Sequence, residues 1–189
     1  MTATHQSNGS VTTGADRVLF WGIALSNAGF VAILALAAYW DHTIIWLHLF
    51  QSFQNVAIVL LAARRNRWAY FLGIASAAFW IYLTTFISNF AESGVANLGL
   101  SLHAGTIVRA DQVIAVPAFI FQLSLILTCL IAYLRLAARP ASDWLRFLGS
   151  LVGVVAYLIA CIAVLQPRYL VMVPRLLHPH GLCYPCDLS

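Results

Sequence analysis

The sequence predicts an all-α integral membrane protein with five transmembrane helices, and three observations carry that prediction. The 189 residues are 62% hydrophobic and 8% charged, with a mean hydropathy of +0.87, whereas a soluble domain carries roughly 25% charged residues. The apolar residues fall in runs of about 20, the length needed to cross a ~30 Å hydrocarbon layer at ~1.5 Å per residue. Arginines collect at the ends of those runs, as in Arg64-Arg65-Asn66-Arg67, where short charged loops set topology.

Residues 1–16 are rich in Ser, Thr, Asn and Gly and cannot build a core, so they predict a disordered cytoplasmic tail. Residues 17–166 form the five-helix membrane domain and residues 167–189 an external tail. The first span covers 18–40. A cleaved signal sequence is the alternative there, because Ala35-Leu36-Ala37 has the form of a cleavage site, although the apolar run is longer than a signal core. Asp41 and His42 turn the chain into the second span, 43–63, and the third follows at 68–90. Residues 91–111 are too polar to span and too long for a minimal turn, with 95–108 expected along the interface. Pro117 suits the first turn of a fourth span reaching Ala138, and residues 144–166 complete the fifth before Pro167.

Counting charges orients the chain. Arg17, Arg64, Arg65, Arg67, Arg135, Arg139 and Arg146 lie on one side, against Arg109, Arg168 and Arg175 on the other, which predicts an internal N-terminus and an external C-terminus. The expected location is the cell (inner) membrane of a bacterium, with the bilayer as principal partner and a second copy or a partner membrane subunit as a further one. The formal charge of +4 resides in helix ends and implies no nucleic acid. All ten basic residues are arginine; the absence of lysine removes Walker-type nucleotide binding, Schiff-base chemistry and a lysine base.

An internal repeat is also expected. Leu61-Ala62-Ala63-Arg64 followed by Trp68-x-x-Phe71-Leu72-Gly73 recurs as Leu136-Ala137-Ala138-Arg139 followed by Trp144-x-x-Phe147-Leu148-Gly149, and Phe50-Gln51 matches Phe121-Gln122 if one turn is inserted. The two hairpins carrying these motifs would be parallel repeats.

The candidate site residues are polar groups inside apolar spans. His48, Gln51 and Asn55 share one helical face at i, i+3 and i+7, and Asn27 and Gln122 add amides from the first and fourth spans. Counted from the inner edge, Asn27 and Asn55 lie roughly 12–15 Å deep and Gln51, His48 and Gln122 roughly 18–24 Å deep. These groups either line a vestibule for a polar solute or join helices by hydrogen bonds worth about 0.6 kcal/mol each. His48 is a candidate in its own right as an ionisable group within a span.

The tail offers His178, His180, Cys183 and Cys186, ligands suited to zinc or copper, with His42 or His103 expected to replace one of them; a Cys183–Cys186 disulfide or thiol-exchange pair is the alternative. No predicted span carries a carboxylate, and no hydrolase elbow, zinc-protease motif or glycine-rich nucleotide loop occurs, so an ordinary enzyme is not expected. The expected function is therefore a transport or channel-like component that binds a small polar solute or metal from the outer side. The alternatives are an accessory or scaffold subunit and a membrane thiol oxidoreductase.

Overall fold

The computed structural model describes residues 14–136 and 140–170, and within them the chain is helical. The elements are α1 Gly14–Trp40, a 3-10 turn His42–Ile44, α2 Ile45–Ala63, α3 Trp68–Tyr82 prolonged by a π turn Leu83–Ile87, α4 Phe90–Ala104, α5 Ala110–Val113, α6 Ala115–Leu134 and α7 Asp143–Leu165. Among the described residues five helical segments are long and apolar enough to cross a membrane: Gly14–Trp40, His42–Ala63, Trp68–Ile87, Ala110–Leu134 and Asp143–Leu165.

The spans are apolar on both faces. In α1 the buried stripe is Ile23, Asn27, Phe30, Leu34 and Ala38, while Val18, Trp21 and Leu25 point outward and are more than half exposed. Phe53, Leu60, Ile120, Leu127, Val152 and Val164 continue that exposed apolar surface on the other spans. Such a surface is stable against lipid chains rather than water. The chain is thus a multi-pass membrane protein by helix composition.

α1, α2, α3 and α6 form a four-helix ring, each packed against two neighbours, and α7 lies outside it along α3 and α2. Contacts fix the directions: Gly22 meets Thr128 and Gly29 meets Phe121, so α1 and α6 are antiparallel, and Phe71 meets Tyr133 while Gly73 meets Cys129, so α3 is also antiparallel to α6 and hence parallel to α1, with Phe30 edge-on to Trp80. α3 is covered on three sides and buries Ala69, Phe71, Gly73, Ala75, Ser76 and Ala77. Its small residues permit that crowding: a Cβ on Gly73 would lie 2.6 Å from the Cys129 Sγ.

The contacts do not support superposable hairpins. α2 packs directly on α3, but α3 stands between α6 and α7, with Phe71 against both Tyr133 and Phe147. Trp68 lies over Gly149, a member of the other motif, and Gly149 is exposed where Gly73 is buried. The 91–111 connection is mostly helix: α4 starts after Asn89, whose φ of 52° is left-handed, and stops at Gly105 with φ 65°. It is held to α5 by Asn97 Nδ2, which donates to Gln112 Oε1 at 2.6 Å, and to the start of α6 by the close approach of Gly94 to Ala115. α1 supplies Ile23, Asn27 and Phe30 to the core, so cleavage at Ala37 would remove a wall of the ring.

Candidate functional site

Several polar side chains in the spans bond back to their own helix. Ser52 donates to the His48 carbonyl, Thr84 to Trp80 and Thr128 to Ser124, each one turn back. His48 instead ties two helices, its Nδ1–H donating to the Leu34 carbonyl at 2.9 Å. A carbonyl only accepts, so Nδ1 carries the proton.

Three amides behave differently. Asn27, Asn55 and Gln122 are 1%, 2% and 1% exposed, on α1, α2 and α6. They occupy one level of the ring. Ile23, Ile58 and Leu125 pack in a single cluster. Asn27 stands one turn beyond Ile23, while Asn55 and Gln122 precede Ile58 and Leu125 by almost a turn on helices running the other way. All three are therefore displaced in the same direction by about 4.5–6 Å. The α1–α3 register brings small Ala77 to that level from the fourth helix.

The amides do not bond one another. Asn27 Nδ2 donates to its own helix at the Ile23 carbonyl, 2.8 Å, and Asn55 Nδ2 to the Gln51 carbonyl, 3.1 Å. Asn27 Oδ1, Asn55 Oδ1 and both amide atoms of Gln122 have no hydrogen-bond partner. An unpaired buried polar group costs about 1–3 kcal/mol, so this layer is a place where the fold carries an expense that its own contacts do not offset.

Apolar seals lie on either side. Toward the α1 N-terminus is the cluster of Ile23, Ile58, Ala62, Ala69, Leu125 and Cys129; toward the other end are Phe30, Leu34 and Ala118 with Trp80 and Phe121. Beyond the first seal a cavity of about 400 Å³ opens at the arginine-rich end, with Ile23 in its wall.

Of the sequence-predicted residues, the structure brings together Asn27, Asn55 and Gln122 and leaves out His48 and Gln51. Gln51 is half-buried one turn away from Asn55, and His48 is committed to Leu34. Gln122 lies level with Asn27 rather than deeper, because α6 ends at Leu134 and not at Ala138. The cavity opens at the end opposite the expected external one. His178, His180, Cys183 and Cys186 lie outside the described residues; among the described residues no three His, Cys, Asp or Glu side chains gather to hold a metal. His103 is engaged with the Gly99 carbonyl of its own helix.

Sequence reasoning missed three residues. Gln54 has both amide atoms buried and unpartnered, as does Ser150 its hydroxyl. Asp143 is 3% exposed and accepts from Arg67 Nη1 at 3.2 Å and from Arg146 Nη1, clamping α3 to α7. The signal for Asp143 was its place at the head of a span between arginine-bearing segments. Compared with protein-family models, curated proteins and solved structures, the chain matches none.

Proposed function

We propose that the ring of α1, α2, α3 and α6 binds and passes a small, neutral, polar solute through the Asn27–Asn55–Gln122 layer. The observation that carries this reading is the set of unpartnered amide atoms held at one level of a buried core, behind a cavity. Interhelical bonding would have used those atoms on each other, and it does not.

The layer defines the solute. Two carbonyl oxygens ask for N–H or O–H donors, and the Gln122 amide offers both a donor and an acceptor. Among the described residues no ionisable side chain sits at this level to offset the desolvation of an ion, which is severe in a low-dielectric interior. Urea, glycerol and water have the required mixture of groups. Both apolar seals are closed, so passage requires Ile23 on one side and Phe30 on the other to move in turn; this is a carrier-like arrangement. The arginine bias supports placing the cavity on the cytoplasmic side, with the N-terminus inside.

Proteoliposomes test the reading. Wild-type protein should raise urea or glycerol influx above that of protein-free vesicles, and Gln122→Met should return it to that baseline. Ile23→Ala, which thins one seal, should raise it further. Equal influx in wild type, Gln122→Met and empty vesicles would refute the proposal.

A further inference from the structure

The cavity of about 400 Å³ is lined by Arg17 from α1, Arg65 from the α2–α3 turn and Arg135 from the end of α6, with Asp16 and Tyr70 beside them. Its wall deeper in the ring is apolar: Ile23, Ala62 and Ala132. We propose that this cavity is a binding site for a phosphate-bearing anion, either a phospholipid headgroup or a soluble phosphate. The proposal does not depend on the amide layer being a passage.

Charge is the first argument. Three guanidiniums and one carboxylate leave the cavity with a net charge of +2, a match for a phosphate monoester dianion. The other arginine pair at this end behaves otherwise, since Arg67 and Arg146 both discharge onto Asp143. Arg17 and Arg135 form no ion pair among the described residues.

Backbone geometry is the second. Arg65 has φ 53°, a left-handed conformation that is uncommon for a side chain with a Cβ. That turn places Arg65 on the cavity, whereas its neighbour Arg64 does not line it. The left-handed residue is the cap that closes α2, with the Arg65 N–H donating to the Ala62 carbonyl and the Asn66 N–H to the Leu61 carbonyl.

The residue type and the size are the third. Guanidinium is weakly hydrated and forms paired, parallel hydrogen bonds to phosphate oxygens, and Arg17 of α1 and Arg135 at the end of α6 can approach one group from two helices. A volume of about 400 Å³ is at the lower end of the ~300–1,000 Å³ of ligand pockets. It exceeds the size of a bare phosphate ion, leaving room for a glycerol or sugar substituent against the apolar wall.

Two arms identify the source. Delipidated full-length protein in neutral detergent is titrated with inorganic phosphate and with glycerol 3-phosphate, followed by 31P line broadening. The same protein in nanodiscs is tested for retention of phosphatidylglycerol over phosphatidylcholine by native mass spectrometry. Two variants keep the charge and so keep the topology: Arg17→Lys with Arg135→Lys removes the forked donors, and Ala63→Trp fills the cavity. Each should weaken binding at least tenfold in whichever arm shows it, while Arg64→Gln should leave it unchanged. Binding in the first arm assigns a soluble phosphate, and retention in the second alone assigns a lipid headgroup. No saturable binding in either arm, or equal loss in Arg64→Gln, would overturn the site.

Discussion

At the scale of single residues, the clearest electrostatic feature outside the spans is Asp41. Its carboxylate caps the 3-10 turn, accepting from the Thr43 hydroxyl at 2.6 Å and from the Thr43 N–H at 2.9 Å. Those hydrogen bonds, the hydroxyl first, hold its pKa below the ordinary 3.8, with Arg168 adding a smaller attraction. Arg168 Nη2 donates to the same Thr43 hydroxyl oxygen at 2.6 Å, and Gln166 Nε2 donates to the Thr43 carbonyl, so this capped turn is where α7's exit is tied to α2's entry. A depressed folded pKa means that the cap contributes above the unfolded value and is lost as pH falls through the folded one. Carboxyl 13C shifts should place the Asp41 midpoint below 3.8. Thr43→Val should raise it, because the hydroxyl donor is gone. An unchanged midpoint in that variant would leave the depression without its principal cause.

At the scale of elements, the fit of α3 against its neighbours is the most sensitive feature. Ala at position 73 would press its methyl to 2.6 Å from a Cys129 side chain that is 0% exposed and cannot swing away. Gly73→Ala should therefore destabilise the protein by about 1–3 kcal/mol, in the range of overpacked cores. Gly153, with nothing within 4 Å of a built Cβ, should accept alanine at no cost. Denaturant unfolding in mixed micelles compares the two, and equal effects would contradict the packing described.

The spans were legible in the sequence because hydropathy and length are local properties; four of the five agree to within a few residues, while the fourth begins at Ala110, seven residues before the Pro117 turn expected to open it. Less legible was α4, whose polar and glycine-containing sequence reads as a loop until the Asn97–Gln112 and Gly94–Ala115 contacts are seen. Gln54 was invisible for a related reason. It points about 100° away from Asn55 around α2 and is interior because α7 packs there, with Tyr157 donating to the Phe50 carbonyl one turn from it. Nothing local in the sequence reports that α7 crosses to α2 and α3 instead of pairing with α6.

At the scale of the whole molecule, two properties are proposed and separately testable. Orientation follows from charge: among the described residues six arginines lie at the α1 N-terminal end and two at the other. Reporters fused after Arg67 and after Ser189 should read cytoplasmic and external; the reverse would move the arginine cavity to the outside and reverse the direction of access.

The ring itself is layered along its axis as arginine cavity, apolar seal, amide layer and second apolar seal. The sequence supplied the amides, but only packing separated Asn27, Asn55 and Gln122 from His48, which ties helices together. The central claim is that these three amides are not structural glue. The unfolding free energy of Gln122→Met tests it most directly, since methionine keeps the side-chain shape and removes an amide with no partner. The account predicts stability unchanged or raised by about 1–3 kcal/mol, the cost of an unsatisfied buried group. A loss of about 0.6–1.7 kcal/mol, the value of an interhelical hydrogen bond in a membrane, would contradict it.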